Sequence, residues 1–206
     1  MEHRTYTTRT FCFLLVTLCV YFLLWQALSS VLELPVYYYA RLIELLAILL
    51  FVALALFTPM RFEEMGLVVP RGVLLRSLAL GSALALAFFL FLCLAAGKPS
   101  FTLSPTREVS RITYILVAPL QEVLSKSVMY YSFELCFEKK HPHLTNLMCA
   151  LTFALFHVVY GLPMMLLSML LCLVTGWIFR KYRCVWGCAV LHFALGFFPP
   201  FFGLSN

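Results

Sequence analysis

Charge is scarce in this chain. Of its 206 residues only 12% are Asp, Glu, Lys or Arg, against 63% hydrophobic, and the mean hydropathy is +0.96. Soluble globular domains carry about 25% charged residues, so a soluble fold is excluded. Paired cysteines are lacking too: Cys12, Cys19, Cys93, Cys136, Cys149 and Cys172 stand singly, and only Cys184 and Cys188 lie near one another. A structural zinc site needs clustered C-x-x-C pairs, so these thiols read as small hydrophobes in apolar runs. No repeat or low-complexity tract is present. No small-x-small cleavage site follows the run behind the basic MEHRTYTTRT, which is therefore read as a retained span and not a signal peptide. The formal charge of +6 comes from basic residues in short loops at span ends, where orientation signals belong, and no nucleic-acid partner is expected.

Long apolar runs fill the rest. A bilayer core about 30 Å thick takes roughly 20 apolar residues per helical span. Candidate spans cover 11–33, 36–57, 75–96, 112–137, 144–161, 163–180 and 184–203. The expected fold class is all-α, a polytopic transmembrane helical bundle of about seven spans. It forms one membrane domain in two parts, residues 1–111 and 112–206. With the N-terminus in the cytoplasm, the inner segments collect Arg4, Arg9, Arg61, Arg71, Arg76, Lys139, Lys140, Arg180, Lys181 and Arg183. Arg41, Lys98, Arg107 and Arg111 fall outside, and the excess of basic residues favours N-in, C-out. The loop GKPSFTLSPTREVSR (97–111) runs against that rule.

Ionisable residues inside spans are informative, because charge at the bilayer centre costs at least about 2.5–3.5 kcal/mol and tends to mark function. Arg41 and Glu44 share a helix face near a span end and read as a structural pair. Thr175-Gly176 reads as a place where two helices approach closely. Glu122 and Lys126 are four apart with the glutamate first, the favourable order for an intrahelical ion pair, so mutual neutralisation is one reading of them. A single buried histidine, His157 or His192, reads as hydrogen-bonded to a neighbouring helix. Together, one carboxylate and two imidazoles on three spans form the set that holds a metal or activates a water: base, water-positioning group and oxyanion stabiliser. That chemistry is peptide hydrolysis within a membrane. Water there needs a polar cavity, which irregular positions such as Pro119, Gly161 and Pro163 help to open.

The order and spacing of these residues resemble the CPBP family, also called the Abi or type II CAAX prenyl endopeptidase family of intramembrane proteases. Its motifs run E-E-x-x-x-R, F-x-x-x-H, then H-x-x-x-N. Here they appear as Gln121-Glu122-Val123-Leu124-Ser125-Lys126 after Ala118-Pro119, then Phe153-Ala154-Leu155-Phe156-His157, then His192-Phe193-Ala194-Leu195-Gly196. The resemblance covers about Ile115 to Gly196, and the N-terminal spans share only their apolar character. It implies an intramembrane endopeptidase in which Glu122 is base or ligand, His157 positions the water or metal and His192 stabilises the oxyanion. A divalent metal such as zinc is the implied cofactor, with Glu122, His157 and His192 as ligands. The implied partners are the lipid bilayer and a membrane-embedded or lipidated protein or peptide. Prenylated CAAX proteins, bacteriocin-type peptides and signalling peptides all remain open as substrates. A prokaryotic cytoplasmic membrane is the expected location.

Three motif positions depart from the pattern. Gln121 stands where the family's first glutamate activates water, and a neutral amide is no general base. Lys126 keeps the charge of the arginine without its bidentate fork. Gly196 lacks the amide that would assist His192. An inactive family member, acting as an immunity or membrane-partner scaffold, is therefore the alternative reading. A small transporter is a third, though it lacks repeats and paired broken helices.

Overall fold

A computed structural model describes residues 2–31, 45, 49, 62–100 and 105–203. Among the described residues all regular structure is helical. Helix α1 spans Glu2–Val31, α2 Arg71–Ala96 and α3 Pro105–Glu122. From α3 the chain continues through wider, π-helical turns at Val123–Tyr130 into α4, Tyr131–Cys136. Then come α5 (Pro142–Leu155), a 3₁₀ turn (Val158–Tyr160), α6 (Leu162–Tyr182), α7 (Val185–Phe197) and a last 3₁₀ turn, Pro199–Phe202.

Local chemistry sets these boundaries. Pro142 and Pro163 open α5 and α6 in the first turn, where a missing N–H costs nothing. Arg183, in the left-handed region at φ 49°, closes α6 and turns the chain directly into α7. Among the described residues three segments are long and apolar enough to cross a membrane: Arg71–Ala96, Leu162–Tyr182 and Val185–Phe202. They coincide with the expected spans 75–96, 163–180 and 184–203. The expected span 11–33 lies mostly in α1, whose apolar stretch is shorter, Leu15–Leu28. The expected span 112–137 is a single helical run that changes its winding at Val123. The expected span 144–161 is shorter than drawn, because α5 ends at Leu155 and the chain bends through Phe156 and His157. The span 36–57, with Arg41 and Glu44, lies outside the described residues.

The core is assembled on α7. Its contact with α2 is made by small residues: a Cβ on Gly81 would lie 2.1 Å from the Gly187 carbonyl oxygen, and one on Gly187 would lie 2.2 Å from that of Ser77. Backbones this close gain dispersion along the whole contact, the main attraction left when lipid removes the hydrophobic drive between helices. Helices α5 and α6 pack as a second pair, and Tyr130, Phe133, Phe153, Ile178, Phe179 and Leu191 fill the space between the pairs. Outward-facing side chains such as Leu23, Leu90 and Leu94 are exposed, as lipid-facing residues are.

The loops expected on one side gather at one end of the bundle. Val185 N–H donates to the Gly66 carbonyl (3.1 Å), and Trp186 Nε1 donates to that of Leu67 (3.0 Å). Tyr131 donates to Glu64 (2.9 Å), and Arg183 grips Glu134 with both guanidinium branches at 2.7 and 2.5 Å. At the other end Ser100 N–H donates to the Phe201 carbonyl (2.8 Å), and Phe89 packs on Phe198 and Phe202.

Candidate active site

Glu122 sits where α3 gives way to wider turns. Pro119, three residues earlier, interrupts the α-helical hydrogen-bond ladder by lacking an N–H. The π-helical turns that follow are buried at every position except Leu124. Such turns are uncommon and concentrate at functional sites. Here they set Glu122, Ser125 and Lys126 into the interior with no exposed surface.

The glutamate's two oxygens have different surroundings. Oε1 lies 3.0 Å from His192 Nδ1 and accepts a long hydrogen bond from Thr175 Oγ1 at 3.4 Å. Oε2 lies 3.9 Å from Lys126 Nζ and has no hydrogen-bond partner among the described residues. The expected Glu122–Lys126 pair therefore exists as charge proximity. The ammonium spends its hydrogen bonds on Ser125 Oγ (3.0 Å), the Cys172 carbonyl (3.2 Å) and Cys172 Sγ (2.9 Å), and so is anchored to α6.

His192, on α7, is 3% exposed. An ionised carboxylate only accepts hydrogen bonds, so facing one makes Nδ1–H the donor and leaves the lone pair on Nε2. His157 lies in the bend after α5 and has the same polarity. Its Nδ1 faces the Phe153 carbonyl at 2.8 Å, which can only accept, so its lone pair is also on Nε2. The Phe153 ring packs against both imidazoles, with centroids 4.8 Å from His157 and 5.8 Å from His192. The spacing F-x-x-x-H thus has a double use: the phenylalanine orients one histidine with its carbonyl and contacts both with its ring.

Of the remaining candidates, Gln121 is half-buried and makes no side-chain hydrogen bond among the described residues. Gly196 lies one helical turn beyond His192 and faces Tyr114. Thr175-Gly176 has two roles. Gly176 does permit close approach, since a Cβ there would meet Asn146 Oδ1 at 1.7 Å, while Asn146 Nδ2 donates to the Leu173 carbonyl at 3.0 Å. Thr175 also reaches Glu122, which reading the pair as packing alone missed. The thiols were similarly underread. Cys149 and Cys172 bring their sulfurs to 3.9 Å beside Ser125, and Cys172 is a partner of Lys126. Isolated cysteines in apolar runs gave no signal of this.

The donor set does not fit a metal ion. Among the described residues no cluster of three or more His, Cys, Asp or Glu side chains is arranged to share one. Glu122 Oε1 and His192 Nδ1 face each other directly, and the Lys126 ammonium stands beside the other carboxylate oxygen, where a cation would be repelled.

The described fold and composition are those of an all-helical membrane protein. Residues 108–198 match the family model described as Rce1-like, type II CAAX prenyl endopeptidase. Over that segment the chain is similar to this family, the one its three motifs resemble, and the match includes every candidate site residue. No curated protein and no solved structure was found to match the chain.

Proposed function

We propose that the protein is an intramembrane endopeptidase that hydrolyses a peptide bond in a membrane-embedded or lipidated protein or peptide, with residues 112–206 as its catalytic part. The bundle has about seven spans in this proposal, its N-terminus is cytoplasmic, and the membrane is the prokaryotic cytoplasmic one. The observation that carries the reading is the buried Glu122–His192 pair, 3.0 Å apart inside an apolar bundle.

The pair acts as one base. With Nδ1–H held by Glu122, His192 Nε2 takes a proton from water, and the carboxylate stabilises the imidazolium that forms. His157 Nε2 accepts the water's second hydrogen and aims the oxygen lone pair at the scissile carbonyl. The water oxygen bonds to the carbonyl carbon and the C=O electron pair moves onto oxygen. When that pair returns, the C–N bond breaks and the amine leaves with the proton from Nε2. Sequence reasoning put the base on Glu122 and the oxyanion contact on His192. In this scheme His192 carries the proton, Glu122 positions it, and Lys126 supplies the carboxylate's counter-charge.

The test uses purified protein in lipid vesicles with two probes, a farnesylated CAAX peptide and an unmodified transmembrane peptide. Cleavage of at least one is expected. His157→Ala should lower kcat by about 10²-fold or more, within the usual range for a group that handles a proton. Cleavage unchanged by that substitution contradicts the assignment.

Gln121 favours a second reading, an inactive family member acting as an immunity or membrane-partner scaffold, because the family's leading glutamate is replaced and Glu122 is sealed from solvent. It predicts no native cleavage and a gain of cleavage on Gln121→Glu. Robust native turnover refutes it.

A further inference from the structure

Both imidazoles offer acceptor nitrogens at Nε2, and the Lys126 ammonium is turned to Cys172 and Ser125. Thr175 gives its proton to Glu122 or to carbonyls of its own helix. Addition of water to a carbonyl creates an oxyanion, which needs a donor that these groups do not supply.

We propose that the Tyr114 hydroxyl is that donor, standing in the place that glycine leaves open one helical turn beyond His192. This rests on the reading of Glu122 and His192 as a hydrolytic pair. Gly196 follows His192 by four residues, so the two share a face of α7. A Cβ at Gly196 would lie 2.1 Å from the Tyr114 hydroxyl oxygen and 2.3 Å from its Cζ. The phenol tip therefore fills the volume that any larger residue at 196 would claim. Tyr114 belongs to α3, the helix that ends in Glu122, so one helix brings both the carboxylate and the phenol to α7.

The ring is fixed from two directions. It meets His192 edge-on, with centroids 6.2 Å apart and planes at 71°, and stacks on Phe193 at 6.2 Å and 27°. A phenol hydroxyl can donate a hydrogen bond to a developing negative charge. Gly196 is then more than a lost amide: it is the vacancy that admits a donor from another helix.

Tyr114→Phe keeps the ring and its packing and removes only the hydroxyl. Expected is a fall in kcat of about 10²–10³-fold, the usual loss of one oxyanion donor, with KM unchanged. Gly196→Ala, whose methyl displaces the hydroxyl, should lose kcat similarly. Tyr114→Ala combined with Gly196→Asn returns an amide donor to the emptied place, and should recover turnover relative to Tyr114→Ala alone. Thermal unfolding in detergent separates these effects from misfolding. If His192→Ala abolishes cleavage while Tyr114→Phe turns over like the unaltered protein, Tyr114 is not the donor and the protease reading stands. If the unaltered protein cleaves neither probe, the protease reading falls and the donor role with it.

Discussion

Glu122→Gln lowers kcat for peptide cleavage by about 10²–10⁴-fold while leaving KM unchanged, and it lowers stability because the buried Lys126 ammonium loses its counter-charge. The amide is nearly isosteric with the carboxylate, so packing of α3 against α6 and α7 persists. What disappears is the negative charge 3.0 Å from His192 Nδ1. An amide also has two ends. Presenting its NH₂ group to Nδ1 favours the tautomer with the proton on Nε2, which removes the lone pair needed for water. Both consequences act on the proton-transfer step and neither acts on binding, so the loss belongs in kcat. Steady-state kinetics on the reconstituted protein checks this, and an unchanged kcat would remove Glu122 from the proposed reaction.

Lys126→Met has the largest expected effect on stability. The lysine has no exposed surface, and neither has the carboxylate 3.9 Å from it. Methionine fills similar volume but leaves Glu122 as a buried charge without a counterion, and leaves the Cys172 carbonyl and Ser125 hydroxyl without their donor. Breaking a buried pair in this way costs about 3–5 kcal/mol. Removing both charges together, as Glu122→Gln with Lys126→Met, should restore most of that loss, because a neutral pair carries no stranded charge. Reversible unfolding in detergent measures each variant. Equal stability of the single Lys126→Met variant and the unaltered protein would show that the glutamate does not depend on the ammonium.

Much of the scaffold was legible in the chain because one physical cause dominates it. Apolar runs of spanning length fix α2, α6 and α7, whose positions coincide with the runs 75–96, 163–180 and 184–203. The loops carrying Glu64, Lys139 and Arg183 were placed on one side by the alternation of spans and the excess of basic residues, and they meet at one end of the bundle through Tyr131 and Glu134. The buried ionisable residues of the candidate site stood out for the same reason, since such side chains in an apolar run have little other cause to be there.

What was not legible depends on winding and on contacts between helices. Nothing in Val123–Tyr130 but the nearby Pro119 signals a change to π-helical turns, yet that change helps place Lys126 against Cys172. The bend at Phe156-His157 shortens α5 because the helical ladder ends there, although the apolar run continues. Tyr114 carries no spacing signal relative to His192, since α3 and α7 are far apart in sequence. It becomes visible only once Gly196 is seen against its hydroxyl.

The most direct test is a double-mutant cycle on kcat, with Glu122→Gln, His192→Ala and the two combined in the reconstituted protein. If the carboxylate works through the imidazole, the double variant should turn over no more slowly than the worse single variant, because removing either member already disables the pair. Losses that multiply across the two substitutions would mean that Glu122 and His192 act separately, and would contradict a single carboxylate–imidazole base.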